Sequence, residues 1–141
     1  MINSSKKVFL DASIFIAFID RANQNHNRSI GIFETLAREG YQVYTSSLVL
    51  QNTYNRLEKD IGFRVAVEFL QATLESNIQT LHPLVPEYVA AFKFLNLVKQ
   101  AQFSLSEVIN ADLMVKNRIG QVLTFDSWHD LMGIKIFNGL S

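Results

Sequence analysis

The chain alternates short apolar segments that favour β-strands with longer segments that carry apolar residues at helical spacing. Strands that alternate with helices usually form a mostly parallel sheet with helices on both faces. We therefore expect a three-layer α/β/α fold with a central sheet of about five strands. The strands are predicted at residues 8–10, 41–45, 78–81, 121–125 and 134–137.

The segments between these strands carry ordinary helix signals. Residues 27–38 show helical spacing and stop at Gly40, and Ser46 or Ser47 can cap the helix that follows the second strand. No linker, repeat or low-complexity tract interrupts the chain, so we expect one domain over residues 1–141. Further helices are predicted at residues 13–19, 65–74 and 85–99, and from about residue 106.

Composition excludes several kinds of site. The chain has no cysteine, which rules out disulfides, thiolate metal sites and a cysteine nucleophile. Thirteen basic residues balance 13 acidic ones, so nucleic acid would have to be bound by a local site rather than by bulk charge. No segment approaches the roughly 18 apolar residues of a membrane-spanning helix. We expect a soluble, cytoplasmic protein with no membrane partner.

Two acids stand at the ends of predicted strands. Asp11 follows the apolar run 8–10, and Asp126 closes the fourth strand. A carboxylate that interrupts an apolar run needs a compensating partner. In parallel sheets, ligands bind at the carboxyl ends of the strands, where the strand order reverses. The two positions therefore predict a ligand site at one edge of the sheet.

Element lengths bring a third acid to the same edge. A helix from Glu107 to about Arg118 spans roughly 18 Å at about 1.5 Å per residue. The strand that returns from Gln121 to Asp126 spans roughly 20 Å at about 3.3 Å per residue. Glu107 and Asp126 should thus finish at the same end of the fold. Asp11 joins them if the first and fourth strands are parallel neighbours.

Three carboxylates in one pocket repel one another unless a cation is present. Mg²⁺ or Mn²⁺ suits such a site, because these hard cations take oxygen ligands and leave positions for phosphate oxygens. A metal held there can activate water and stabilise charge on a phosphodiester. Without cysteine, and with only scattered histidines, a zinc site is the poorer interpretation.

Four segments, taken in order, resemble the motifs of PIN-domain ribonucleases, in particular the VapC-like toxin branch. They are VFLDAS at 8–13, TSSLVL at 45–50, SLSE at 104–107 and LTFD at 123–126. The resemblance implies a PIN-like fold and an acidic quartet that binds Mg²⁺ or Mn²⁺ and cleaves RNA. It also implies a homodimer and a small antitoxin protein as partner.

Carried over by position, Asp11 and Asp126 match the first and last acids of the family, and Glu107 stands where the family usually has Asp. The second motif departs, because Asn52 occupies the position of a Glu. Asn52 offers a carbonyl oxygen but no charge. The resemblance thus implies a metal-dependent endoribonuclease of weakened activity. The alternative is a catalytically degenerate module that binds RNA or protein.

Five other residues are candidates for the same pocket. Ser13 and Thr124 can orient the acids through hydrogen bonds, and Asn110 lies one helical turn from Glu107. Trp128 and His129 follow Asp126 and can contact a base.

Each acid also has a structural interpretation. Asp11 can cap the first helix, and Asp126 can be an ordinary turn acid. Glu107 can complete a capping box with Ser104. Asp112, four residues before Lys116, is expected to form an ion pair.

A third interpretation is a receiver-like or phosphatase-like domain in which Asp11 accepts a phosphoryl group. It requires a lysine near the acids, and Lys135 in the last strand is the candidate. Apolar residues on more than one face of the 85–99 helix indicate a buried helix or a dimer contact, and a homodimer is predicted.

Overall fold

The structure, a computed structural model, describes residues 6–98, 103–126 and 131–137. Within these ranges no helix is both long enough and apolar enough to cross a membrane. The strands β1 to β5 are Lys7–Leu10, Gln42–Ser46, Gln79–Leu81, Gln121–Leu123 and Lys135–Ile136. The helices α1 to α6 are Ala12–Ile19, His26–Arg38, Ser47–Asp60, Phe63–Glu75, Val85–Leu97 and Leu105–Lys116.

The five strands pair in parallel in the order β3-β2-β1-β4-β5. From β1 the chain builds outward through β2 and β3, then returns to the other side of β1 to form β4 and β5. The strand order therefore reverses between β1 and β4. A crevice is expected at the carboxyl ends of these two strands.

The central strand β1 is covered on both faces. Val8, Phe9 and Leu10 are each at most 1% exposed. Because successive side chains of a strand point to opposite faces, burial of all three requires helices above and below the sheet. The predicted three-layer α/β/α fold with a parallel five-stranded sheet is confirmed.

Local signals placed the element ends to within about two residues. Gly40 has a φ of +71°, and the Tyr41 N–H donates to the Leu36 carbonyl across it at 3.0 Å, which closes α2 where the sequence predicted. Ser46, one of the two predicted caps, accepts a hydrogen bond from the Val49 N–H and begins α3.

Two of the differences from the predicted ends have a cause in side-chain hydrogen bonds. Strand β4 ends at Leu123, short of the predicted end at residue 125, because side chains take up the backbone donors that follow. The Phe125 N–H donates to the Ser13 hydroxyl, and the Asp126 N–H donates to the Thr124 hydroxyl. Helix α1 begins at residue 12 rather than 13, because Asp11 serves as its N-cap.

Helices α5 and α6 are joined through one lysine. Lys116 Nζ on α6 lies 2.6 Å from Glu87 Oε2 and 3.1 Å from Asp112 Oδ2. Glu87 Oε1 in turn accepts a 2.7 Å hydrogen bond from the Leu84 N–H and caps the first turn of α5. The predicted pair of Asp112 and Lys116 is confirmed, and Glu87 extends it to a second helix.

Burial of α6 predicts a large effect of one truncation. Ile109 is 1% exposed within the core, so Ile109→Ala should lower the free energy of unfolding by about 2–5 kcal/mol. Urea denaturation measures this as a lower midpoint at unchanged slope. Val115→Ala, on the same helix at a position 46% exposed, is the control and should change stability by no more than about 0.5 kcal/mol. Equal effects of the two substitutions would contradict this packing.

Candidate active site at the carboxyl ends of the strands

Asp11 is held at the carboxyl end of β1 from two directions. Its N–H donates to the Leu123 carbonyl at 3.1 Å, which extends the contact between β1 and β4. Its Oδ1 accepts a 2.8 Å hydrogen bond from the Ala12 N–H at the start of α1. The capping role considered for Asp11 is therefore real, and the positive end of the α1 dipole favours its carboxylate.

Two hydroxyl groups connect Asp11 to the segment after β4. Thr124 Oγ1 donates to Asp11 Oδ2 at 3.2 Å, which uses its one hydrogen. The contact of 3.0 Å between Ser13 Oγ and Thr124 Oγ1 must then have Ser13 as donor. Ser13 in turn accepts from the Phe125 N–H at 2.8 Å, and Thr124 accepts from the Asp126 N–H at 3.0 Å. Ser13 and Thr124 thus fix the Asp11 carboxylate relative to the backbone of Asp126.

Helix α6 presents its first turn to the same place. Ser104 caps it by accepting a 3.0 Å hydrogen bond from the Glu107 N–H, which is the Ser104 half of the predicted capping box. Asn110, 5% exposed, accepts a 2.6 Å hydrogen bond from the Ser46 hydroxyl through Oδ1. Since Ser46 Oγ also accepts from the Val49 N–H, this hydroxyl fixes α6 against the start of α3.

These elements enclose a polar cleft of about 240 Å³. The structure brings Asp11, Glu107 and Asp126 together on its walls, with the amides of Asn52 and Asn110 beside them. Thr124 bonds to Asp11 from outside this lining, and Ser13 bonds to Thr124. The remaining lining residues are Phe9, Ser104 and Ser106.

The three acids influence one another electrostatically. Burial raises the pKa of Asp11, and the negative charges of Asp126 and Glu107 raise it further. The hydrogen bonds from Ala12 and Thr124 act in the opposite direction, and the net pKa lies above the ordinary value. The ionised cleft is thus a place where a cation would be favoured.

The polar side chains that line the cleft carry carboxylate, amide and hydroxyl groups. Among the residues that the structure describes, no three His, Asp or Glu side chains lie together as a ready-formed metal site. Carboxylate and amide oxygens match the chemistry of a hard divalent cation that keeps several waters, for which a closed protein cage is not needed. The donor set fits Mg²⁺ or Mn²⁺.

The receiver-like interpretation requires Lys135 beside the acids, and the structure places it elsewhere. Lys135 in β5 pairs with Gln121 at the start of β4, the opposite end of that strand from Asp126. A separate cleft of about 760 Å³ surrounds this opposite end and includes none of the acids. Trp128 and His129 lie outside the described residues.

Comparison with solved structures finds VapC20 of Mycobacterium tuberculosis, a toxin that cleaves the sarcin–ricin loop. The two chains superpose with a TM-score of 0.72 at 22% sequence identity, over 84% of this chain and 89% of VapC20. This chain has a PIN-like fold. Comparison with protein-family models finds no match, and comparison with curated proteins finds none either. A PIN-like fold does not by itself carry over an activity.

The sequence did not identify Ser46 as a partner of the cleft, nor Phe9, Ser104 and Ser106 as parts of its lining. The position of Ser46 in the second motif marked it as a candidate helix cap, but its second partner, Asn110, lies 64 residues away in the chain. Only a hydroxyl at a helix start next to a strand end offered a signal, and many ordinary caps share that signal.

The raised pKa of Asp11 predicts a pH-dependent loss of stability without metal. An acid whose folded pKa exceeds its unfolded value, about 3.9, favours the fold only while it is protonated. That contribution is lost as the pH rises from about 3.9 through the folded pKa. In EDTA, Asp11→Asn should therefore gain thermal stability relative to wild type between acid and neutral pH. A difference in Tm that stays constant with pH would refute this electrostatic account.

Proposed function

We propose that this protein is a metal-dependent endoribonuclease that hydrolyses phosphodiester bonds of RNA. The observation that carries the proposal is the cleft at the strand-order reversal of a PIN-like sheet, with Asp11, Glu107 and Asp126 on its walls. The likeness to VapC20, which cleaves an RNA loop, supports it. On this basis we also propose the role of a toxin, neutralised by a small antitoxin protein and acting on RNA in the cytoplasm.

We propose that Asp11, Glu107 and Asp126 bind Mg²⁺ or Mn²⁺, with the Asn52 carbonyl as an uncharged fourth group. Such an ion, when bound, polarises the phosphate and lowers the pKa of water. The protein supplies the positions of the oxygens. Hydrogen bonds from the Ala12 N–H and the Thr124 hydroxyl hold the Asp11 carboxylate at one orientation.

Asp126 has a second role in this proposal, and Asn110 and Asn52 have roles of their own. Asp126 is exposed at the rim, where its carboxylate can accept the proton of the attacking water. The Oδ1 atom of Asn110 is occupied by Ser46, so the Asn110 NH₂ group is the end that can donate to a phosphate oxygen. Asn52 leaves the site one negative charge short of an acidic quartet. We therefore expect weaker cation binding and slower cleavage than four acids would give.

Three variants test the reaction. With Mn²⁺ present, Asp11→Asn should reduce RNA cleavage by at least about 100-fold, since it removes a ligand charge. Asn52→Glu should increase the rate and lower the Mn²⁺ concentration that gives half-maximal cleavage. Glu58→Gln, an exposed position on the same helix α3, is the control and should leave the rate unchanged. The measurement is the initial rate of cleavage of labelled RNA, with EDTA as the metal-free condition.

A specific observation favours a second function. An uncharged Asn52 lines the cleft where a fully acidic quartet would place a carboxylate. If wild type, Asp11→Asn and Asn52→Glu all fail to cleave RNA with either metal, the cleft belongs to a degenerate site. The protein would then be an RNA- or protein-binding module with a PIN-like fold.

We further propose that the protein forms a homodimer through α5. This helix buries only Glu87 and Ala91, whereas Val85, Val89 and Phe92 are 74%, 44% and 64% exposed. These positions recur at helical spacing and form one apolar stripe. Apolar stripes of this kind mark protein–protein contacts.

Charge on this stripe should separate the dimer. We expect Phe92→Glu to sediment as a monomer at concentrations where wild type sediments as a dimer, because an unpaired charge in an apolar interface is strongly unfavourable. Leu74→Glu, which charges an equally apolar exposed position on α4, is the control and should remain dimeric. A monomeric wild type, or identical behaviour of both variants, would overturn the assignment of the stripe.

A further inference from the structure

A second polar pocket adjoins the acidic cleft. It measures about 190 Å³, and Asp126 lies on the lining of both cavities. Its walls come from the loop between α1 and α2, from α3 and from the segment after β4. The lining residues are Ser13, Ile16, Asn23, Gln24, Asn25, Arg56, Phe125 and Asp126.

Arg56 gives this second pocket a positive charge. It lies on α3 four residues after Asn52, so both side chains project from the same face of the helix. The face that presents an uncharged amide to the acidic cleft therefore presents a guanidinium to the adjoining pocket. Arg56 Nε is 4.0 Å from Asp60 Oδ2, and both side chains are more than half exposed. Such a pair is weak, which leaves the guanidinium available to a ligand.

The opposite wall is a loop that is already fixed by its own hydrogen bonds. Asp20 Oδ1 accepts from the Ala22 N–H at 3.0 Å, and Asn23 Oδ1 accepts from the Asn25 N–H at 2.8 Å. The ring of His26 is bonded through Nδ1 to the Ala17 carbonyl at 2.8 Å. The backbone of the loop and the Asn23 amide are therefore held in place, which lowers the ordering cost of binding a ligand there.

A further cavity that includes Asp126 also carries a positive charge. This third cavity, of about 400 Å³, is lined by Asn25, Arg28, Phe125 and Asp126 among others. The guanidinium carbon of Arg28 lies 5.3 Å from the centre of the Phe125 ring. Asp126 thus contributes to a cavity with Arg56 and to another with Arg28. In a chain of zero net charge, these two cations are placed beside the acids.

We propose that the second pocket, which we call the nucleotide pocket, binds one nucleotide of a single-stranded RNA, next to the bond that is cleaved. Arg56 binds its phosphate, for which the planar guanidinium is well suited. The amides of Asn23, Gln24 and Asn25 bond the edge of its base, because an amide carries both a donor and an acceptor. Arg28 attracts the strand at the third cavity, which Asp126 also lines. The assignment to a cleaved strand rests on the proposed nuclease function.

The shape of the site favours an unpaired strand. Protein side chains that read bases in RNA do so on single strands, loops and bulges, whose bases can leave the stack. A concave pocket of about 190 Å³ beside a phosphodiester site can admit an edge of such a base. Local arginines also explain how a chain without excess positive charge holds a polyanion.

Binding without cleavage tests the nucleotide pocket. Fluorescence anisotropy of a short labelled single-stranded RNA, in EDTA, gives the Kd over a series of salt concentrations. Arg56→Gln should weaken binding by about five- to tenfold and reduce the slope of log Kd against log salt by about 0.7, the value for one phosphate contact. Asn25→Ala should weaken binding about threefold at unchanged slope, since it removes an uncharged hydrogen bond.

Arg38→Gln is the matched control. Arg38 is an exposed arginine in the last turn of α2, at the other end of that helix from the pocket. It should leave both Kd and slope unchanged. If Arg56→Gln behaves like Arg38→Gln, or if wild type does not bind the RNA, the nucleotide pocket is wrongly assigned. Urea midpoints within error of wild type show that each variant is folded.

The same variants separate this inference from the proposed function. If wild type cleaves RNA and Arg56→Gln leaves the Kd and KM unchanged, the nuclease function is supported and the nucleotide pocket is contradicted. If RNA binding depends on Arg56 but no cleavage occurs with Mg²⁺ or Mn²⁺, the nucleotide pocket is supported and the nuclease function is contradicted.

Discussion

Parallel pairing of β1 with β4 is the contact on which the whole site depends. Phe9 lies beside Val122 and Leu10 beside Leu123, although the strands are more than a hundred residues apart in sequence. The two strands run in the same direction, so their following residues emerge at one edge of the sheet. Because the strand order reverses there, the connections leave β1 and β4 in opposite directions, which opens a crevice between them. Asp11 and the segment that leads to Asp126 are its two sides.

Short polar side chains set the geometry at this edge. Thr124 and Ser13 join the ends of β1 and β4, whereas Ser46 joins α3 to α6 through Asn110. Each hydroxyl both donates and accepts, so each can bind two elements at once. These contacts are buried or partly buried, where loss of one partner leaves the other unsatisfied. The carboxylates are therefore positioned by a small set of hydroxyl groups rather than by the apolar core alone.

The sequence predicted the features that local patterns determine. The strands, the stop at Gly40, the cap at Ser104 and the pair of Asp112 with Lys116 each depend on residues within about one helical turn of one another. The convergence of the three acids could also be inferred, because the rise per residue is regular in helices and in strands. The early end of β4 and the bond from Ser46 to Asn110 could not, since both require partners brought close only by the fold. The pocket beside Asp126 was missed for the same reason, as Arg56 and the α1–α2 loop are separated by some thirty residues.

The double role of Asp11 bears on how relatives of this chain should be interpreted. Loss of an N-cap side chain costs about 0.5–2 kcal/mol, whatever the protein does. A capping side chain at position 11, whether Asp or Asn, would therefore be retained by selection for folding irrespective of any activity. Its presence in a related sequence reports on the start of α1 as much as on chemistry. Asp126 is exposed at the rim and is less constrained by folding, so its loss in a related sequence would bear more directly on the proposed activity.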